Sequence, residues 1–154
     1  MKTENQEIES SNALLADFFN GHHDKLLCTA NKQGEPDIAL MGTPRILESG
    51  DIGFEVSDKI SLTLENIKEN KSVVFMAYLP GARARDYSGV RIYAEVTEIL
   101  TSGDKVEEIR KSIRERFGEE KAAEFQATVT CKISKVRPVV DRGQKWDKPP
   151  FEEA

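Results

Sequence analysis

Along most of this 154-residue chain apolar and polar residues alternate with a period of two, interrupted by three stretches of helical period. The first of these predicts a helix over about 7–20, with Ile8, Leu14, Leu15, Phe18 and Phe19 largely on one side and Gly21 as its stop. His22 and His23 follow directly, where an imidazole caps the last helical carbonyls or stands in solvent. Lys25 to Asn31 reads as a strand, turned at Gln33-Gly34. Asp37 to Leu47 reads as a second strand, interrupted at Gly42 and Pro44. Inside a strand, Gly permits close backbone approach and Pro marks an edge or a bulge. Ser49-Gly50-Asp51 then turns the chain into Ile52–Val56. Two successive hairpins with Gly-containing turns predict an antiparallel sheet.

Ile60, Leu64 and Ile67 recur at helical spacing and predict a short helix over Ser61–Glu69. Val73–Leu79 is almost continuously apolar, as a central strand is. The loop Pro80–Ser88 carries two arginines and a tyrosine ahead of a long strand, Gly89–Leu100. In that strand Ile92, Ala94 and Val96 alternate with Tyr93, Glu95 and Thr97 until the pattern breaks at Ile99, as a bulge requires. Asp104–Phe117 is the clearest helix: Asp104 and Glu107 resemble a capping box, and Val106, Ile109, Ile113 and Phe117 form one apolar stripe. Its charged remainder reads as a solvated face. Ala127–Ile133 is the last predicted strand, and 136–154 is a polar, Pro-rich tail containing Trp146. Six strands and three helices make a β-dominated α+β chain, a single domain over 1–154 with its barrel over 25–135. A sheet of this size closes on itself or packs on a partner, because open edges invite aggregation.

Charge changes the picture by exclusion. The formal net charge is -5, with 22 basic against 27 acidic side chains. Proteins that live on nucleic acid carry excess positive charge to displace counterions, so nucleic acid is not the expected partner. Cys28 and Cys131 each sit in an apolar run and read as small core residues rather than a disulfide or a metal site. No segment is long and apolar enough to span a bilayer, and the polar start MKTENQEIES does not resemble a secretion signal. The expectation is a cytoplasmic protein away from membranes.

Two stretches carry candidate chemistry. Ser57-Asp58-Lys59-Ile60-Ser61-Leu62-Thr63 gathers three hydroxyls and one ammonium at a helix start, where free N–H groups and the helix dipole suit a phosphate. The simpler reading makes Ser61 an N-cap and the rest exposed loop. Arg83, Arg85 and Tyr87, followed by Arg91, could clamp a planar anion, or pair with nearby acids at the surface. No hydrolase triad and no HExxH motif is present.

The strand, the turn Gly34-Glu35-Pro36, the second strand, and the short helix ending Asn66-Ile67-Lys68-Glu69-Asn70 before Val73 resemble the pyridoxamine 5′-phosphate oxidase-like family of FMN-binding split barrels. The likeness runs from Leu26 to Val96. It implies a six-stranded antiparallel split β-barrel with peripheral helices, and a homodimer with FMN at the interface. It implies that Ser57, Lys59, Ser61 and Thr63 hold the FMN phosphate, and that Leu40, Met41, Gly42 and Thr43 run along the flavin ring. Arg85, Tyr87 and Ser88 would close over the flavin, and Trp146 would reach the partner's. Leu62-Thr63 stands where true pyridoxamine phosphate oxidases have Arg-Lys, and the tail lacks their Arg-Leu-x-Pro segment. The resemblance therefore points to an FMN-dependent oxidoreductase with a small-molecule or protein electron donor, not to pyridoxal phosphate synthesis. The alternative it leaves is a non-catalytic carrier or sensor of flavin, deazaflavin or haem, the last with His22 or His23 as axial ligand.

Overall fold

The computed structural model describes residues 13–58 and 60–141. The start of the N-terminal helix expected from residue 7, Lys59, and the tail segment with Trp146 lie outside the described residues. Residues 13–20 form helix α1. Strands β1 (Lys25–Ala30), β2 (Pro36–Met41), β3 (Arg45–Ile46) and β4 (Ile52–Val56) follow, then helix α2 (Leu62–Glu69) and strand β5 (Ser72–Leu79). A single 3-10 turn, Ala84–Asp86, precedes β6 (Ser88–Leu100); helices α3 (Asp104–Phe117) and α4 (Glu119–Glu124) lead into β7 (Ala127–Pro138).

All seven strands form one antiparallel sheet in the order β2-β1-β5-β6-β7-β4-β3. Strands β2 and β3 are opposite edges of that sheet, yet only residues 42–44 lie between them. Four Cα steps reach at most about 14 Å, whereas six strand spacings would part the edges of a flat sheet by about 29 Å. The sheet therefore curls until its edges nearly meet, which makes it a split barrel. Register shifts between β6 and β7 at Tyr93/Ala94 and Val96/Glu98 supply bends for the curl; they fall before Ile99, where the sequence pattern breaks.

The seventh strand comes from dividing the expected strand Asp37–Leu47 in two. The chain leaves β1 at Met41 and joins β4 at Arg45, and Pro44, with no N–H, cannot extend a ladder between them. Two further expectations are corrected. Strand β7 continues through Pro138 because Lys135, Val136 and Arg137 pair with Tyr93, Ile92 and Arg91, so the tail begins later than 136. Helix α3 has Gly103 at its N-cap with no side-chain cap bond. Asp104 is already inside the helix, and the Glu107 carboxylate pairs with Arg110 instead of capping.

One face of β1, β4, β5, β6 and β7 points into a common core, against which only Met41 of β2 packs. Phe75 of β5 meets Phe19 of α1 and Phe54 of β4 edge-on, with ring centroids 6.1 and 5.8 Å apart. Val90, Ile92, Ala94 and Val96 continue the layer along β6, and Ala127, Val129 and Cys131 along β7. Helix α1 adds Leu15 and Phe19, and α2 adds Leu64 and Ile67. Four fully buried phenylalanines at this density anchor the fold. Gly89 lets β5 and β6 close tightly at their hairpin: its φ is +152°, and a Cβ there would sit 2.2 Å from the Ala77 carbonyl oxygen. No helix among the described residues is long and apolar enough to cross a membrane.

Candidate functional site

The connector between the barrel edges brings two of the expected site residues together. Thr43 donates its hydroxyl to the Glu55 carbonyl at 3.0 Å and accepts the Glu55 N–H at 3.1 Å. This extends the β3–β4 ladder and places Thr43 beside the end of β4, from which Ser57 emerges. Both line a cleft of about 600 Å³. Gly42 is needed next to them for packing, since a Cβ would come within 3.1 Å of the His23 carbonyl oxygen.

At the start of α2 the modest reading of Ser61 holds: its hydroxyl accepts the Leu64 N–H at 3.1 Å as an N-cap. Capping fills one acceptor direction of that oxygen and leaves the rest of the first-turn N–H groups pointing outward. Thr63 is buried and Leu62 is half exposed. The helix is fixed on the barrel from its other end. Asn66 donates its amide to the Thr29 hydroxyl at 3.0 Å, both residues buried, and the Glu69 carboxylate accepts the Lys32 N–H at 3.1 Å.

Leu40 and Met41 belong to edge strand β2, and their side chains part ways. Met41 is half-buried, while Leu40 and Ile38 are 70% and 64% exposed. Register places Leu40 and Ile38 on the same outer face as Leu26 and Cys28 of β1 and Met76 and Val74 of β5. That face is apolar and only partly covered.

Arg85, Tyr87 and Ser88 stand at the same end of the sheet as Met41, because Met41 pairs with Lys25 and Ser88 with Leu79. They are three strands away from β2, about 14 Å, and within one chain they do not join Thr43 and Ser57. The Tyr87 ring stacks on Tyr78 with centroids 5.5 Å apart, and Arg83 of the same loop is paired with Asp86 at 3.1 Å.

The cleft also contains residues that the sequence reading did not assign to a site: Arg116 stood on the solvated face of the predicted helix, Phe117 at the end of its apolar stripe, and Lys121 outside any predicted element. Arg116 and Phe117 of α3 and Lys121 of α4 line it opposite Thr43 and Ser57. The only sequence signal for them was the apolar stripe ending at Phe117. Glu55 lies between the two sides; burial pushes its carboxyl above the usual range, with Arg45 and Lys105 pulling it back. His22 behaves as a cap, its Nδ1 2.7 Å from the Phe18 carbonyl oxygen, while its buried Nε2 has no hydrogen-bond partner among the described residues. His23 is exposed.

Solved structures share this architecture. The chain has the split-barrel fold of the pyridoxamine 5′-phosphate oxidase-like proteins. An FMN-binding protein from Syntrophomonas wolfei subsp. wolfei superposes on the split barrel with a TM-score of 0.66 at 22% identity, over 89% of this chain and 93% of that one. HutZ, the heme storage protein of Vibrio cholerae, gives 0.56 at 16% identity over 88% and 94%. An F420 reductase gives 0.55 at 15% identity over 81% and 94%. By sequence, no family model and no curated protein matches.

Proposed function

We propose that this split barrel binds FMN between two copies of the chain and acts as an FMN-dependent oxidoreductase, with electrons from a small-molecule or protein donor. The observation that carries the reading is the outer face of β2, β1 and β5. It exposes Ile38 and Leu40 on a sheet edge that the other described residues leave open, and it continues over Leu26 and Met76 toward the end where Gly42 and Thr43 lie. An apolar edge strand of this kind calls for a cover, and a second copy with a flat ring between the two faces supplies one. The residues fit the cofactor chemically. Ser57, Ser61 and the first-turn N–H groups of α2 form a donor set for a phosphate, and the apolar face suits the ring. When bound, the flavin supplies the electron transfer; the chain binds, orients and shields it. The FMN-binding neighbour supports this reading.

The test is spectroscopic. Purified protein titrated with FMN is expected to bind one flavin per chain and to run as a dimer. Ser57→Ala with Ser61→Ala should weaken FMN by about 2–3 kcal/mol through lost phosphate bonds. Colourless protein indifferent to added FMN refutes the proposal. The heme storage neighbour motivates a second reading, a haem carrier, for which His23 is the exposed imidazole near Gly42. Haem binding that survives His23→Ala would remove His23 as the ligand, and protein that takes up no added haem would remove the reading itself.

A further inference from the structure

On the outer face of the sheet two rows of side chains run straight across the strands. One is Leu26, Met76, Arg91 and Arg137; the other is Cys28, Val74, Tyr93 and Lys135, each residue directly opposite the next across a ladder. Both rows are apolar on β1 and β5 and cationic on β7. Along the second row lies a recess of about 450 Å³ walled by Cys28, Val74 and Tyr93, and Lys135 is the only charged residue in its described lining.

Arg91 and Arg137 face each other between β6 and β7, an arrangement that repels unless an anion joins them. The chain supplies one from beyond its last strand. Arg91 donates Nε–H to the Pro138 carbonyl at 2.9 Å and a second guanidinium N–H to the Asp141 carboxylate. Arg91 chiefly, with Arg137 adding its charge, holds the Asp141 carboxyl below its ordinary range. That side chain is 74% exposed, so it is gripped without being enclosed. Lys135 lies two residues from Arg137 on the same face, about 7 Å along the strand, with its ammonium 4.9 Å from the Tyr93 ring centre. Among the described residues neither Lys135 nor Arg137 belongs to an ion pair. The other acids of this region are placed elsewhere: Glu95 is opposite Lys132, and Asp37 is opposite Thr29, which is buried on the inner face. Three clustered cations thus meet one carboxylate, in a chain whose formal charge is -5.

We propose that Arg91, Arg137 and Lys135 form a binding site for a phosphate monoester, with Asp141 as a built-in stand-in for the phosphate and the ester's apolar body in the recess along Val74 and Cys28. The single carboxylate leaves two of the three charges unmet. A phosphate monoester brings about two negative charges and several acceptor oxygens, which match guanidinium forks. Ligand and Asp141 compete for the same arginines, so the chain's own acid sets the affinity. The site stands on β5, β6 and β7 and does not depend on the flavin assignment, whose phosphate donors are at the start of α2.

Flavin-free protein is titrated calorimetrically with 1-naphthyl phosphate, 1-naphthoate and 1-naphthol, one body with falling charge. The phosphate is expected to saturate at one site per chain and to bind most tightly, the naphthol least. Arg137→Gln should weaken 1-naphthyl phosphate by about tenfold. Asp141→Asn, at an exposed position, should tighten it by about fivefold because the competitor is gone. Equal binding of 1-naphthol or 1-naphthoate, an affinity indifferent to Arg137→Gln, or an Asp141→Asn variant that binds no more tightly overturns the proposal. One equivalent of FMN separates the two readings. Protein that takes up FMN should keep its affinity for 1-naphthyl phosphate; displacement would make this the flavin's own phosphate site and overturn a second one. Arg137-dependent binding in protein that ignores FMN sinks the flavin assignment alone. FMN binding with a 1-naphthyl phosphate affinity indifferent to Arg137→Gln sinks this site alone.

Discussion

Replacing Gly89 with alanine should cost the fold about 3–4 kcal/mol. The residue has a φ of +152°, and its new Cβ would stand 2.2 Å from the Ala77 oxygen, 2.6 Å from the Tyr78 Cα and 3.0 Å from the Tyr78 Cβ. Two of these are backbone atoms of the neighbouring strand, so no rotamer change relieves them. The backbone strain alone amounts to about 1–2 kcal/mol. Relief requires β5 and β6 to separate at Ala77↔Val90 and Tyr78↔Gly89, which sacrifices about two ladder bonds at about 1 kcal/mol each. The Val139 N–H bond to the Gly89 carbonyl, 3.1 Å long, is put at risk by the same movement. Gly50→Ala is the control: φ there is +90°, but nothing lies within 4 Å of the added carbon, so only the strain of about 1 kcal/mol remains. Urea unfolding followed by circular dichroism reads both variants. With an m-value of about 2 kcal/mol/M, the Gly89→Ala midpoint should fall by about 1.5–2 M. A Gly89→Ala loss no larger than that of Gly50→Ala would refute the idea that steric closure of this hairpin fixes the position.

Three other predictions follow the same logic. Burial lowers the pKa of Lys25, with nearby Asp24 opposing, while its ammonium lies 5.0 Å from the Phe19 ring centre. The folded state holds that proton less tightly than the unfolded chain, so the buried charge costs stability below the lowered pKa and the cost fades as pH rises toward the ordinary 10.5. Lys25→Met should therefore be more stable than the parent by about 1 kcal/mol at pH 7, with the gap shrinking in alkaline buffer; a gap that widens with pH contradicts this. Asn66→Ala should lose about 2 kcal/mol because the Thr29 hydroxyl is left buried without its donor, and Thr29→Val in the same protein should recover part of the loss. Burial pushes the Cys131 thiol up to about 12 and also raises Cys28, so Ellman's reagent at pH 8 should leave Cys131 untouched until urea unfolds the chain. Release of two equivalents from native protein would contradict that.

Much of the barrel was legible because its signals are local. Gly34 and Gly50 mark turns, and the alternation through Ile92, Ala94 and Val96 identifies β6 together with its buried side. What the alternation lacks is the identity of the strand across the ladder. Gly42 and Pro44 therefore registered as an interruption in one strand rather than as a passage between opposite edges. The periodicity of α3 located its apolar stripe, but a stripe does not say what covers it. At Phe117 and Ile113 nothing in the described chain covers it fully. Helix α4, with the sequence EEKAAE, is too short and too charged for a periodic signal. The meeting of Thr43 with Ser57 follows from a ladder contact between residues 43 and 55 and from no spacing in the sequence; only the family resemblance brought them into one list.

The seam of the barrel also sets the order in which this chain can be completed as it is made. Strand β4 takes its long partner from β7, with Ile52 opposite Cys131 and Val56 opposite Ala127. A nascent chain holding everything up to α4 thus carries β4 with only the two-residue β3 beside it, and its Ile52 and Phe54 have no sheet to lie in. Such an unfinished edge is exposed to neighbouring nascent chains until the last strand leaves the ribosome. On this account, stop codons shortly before Ala127 should produce insoluble protein, whereas stops after Pro138 should produce a closed barrel.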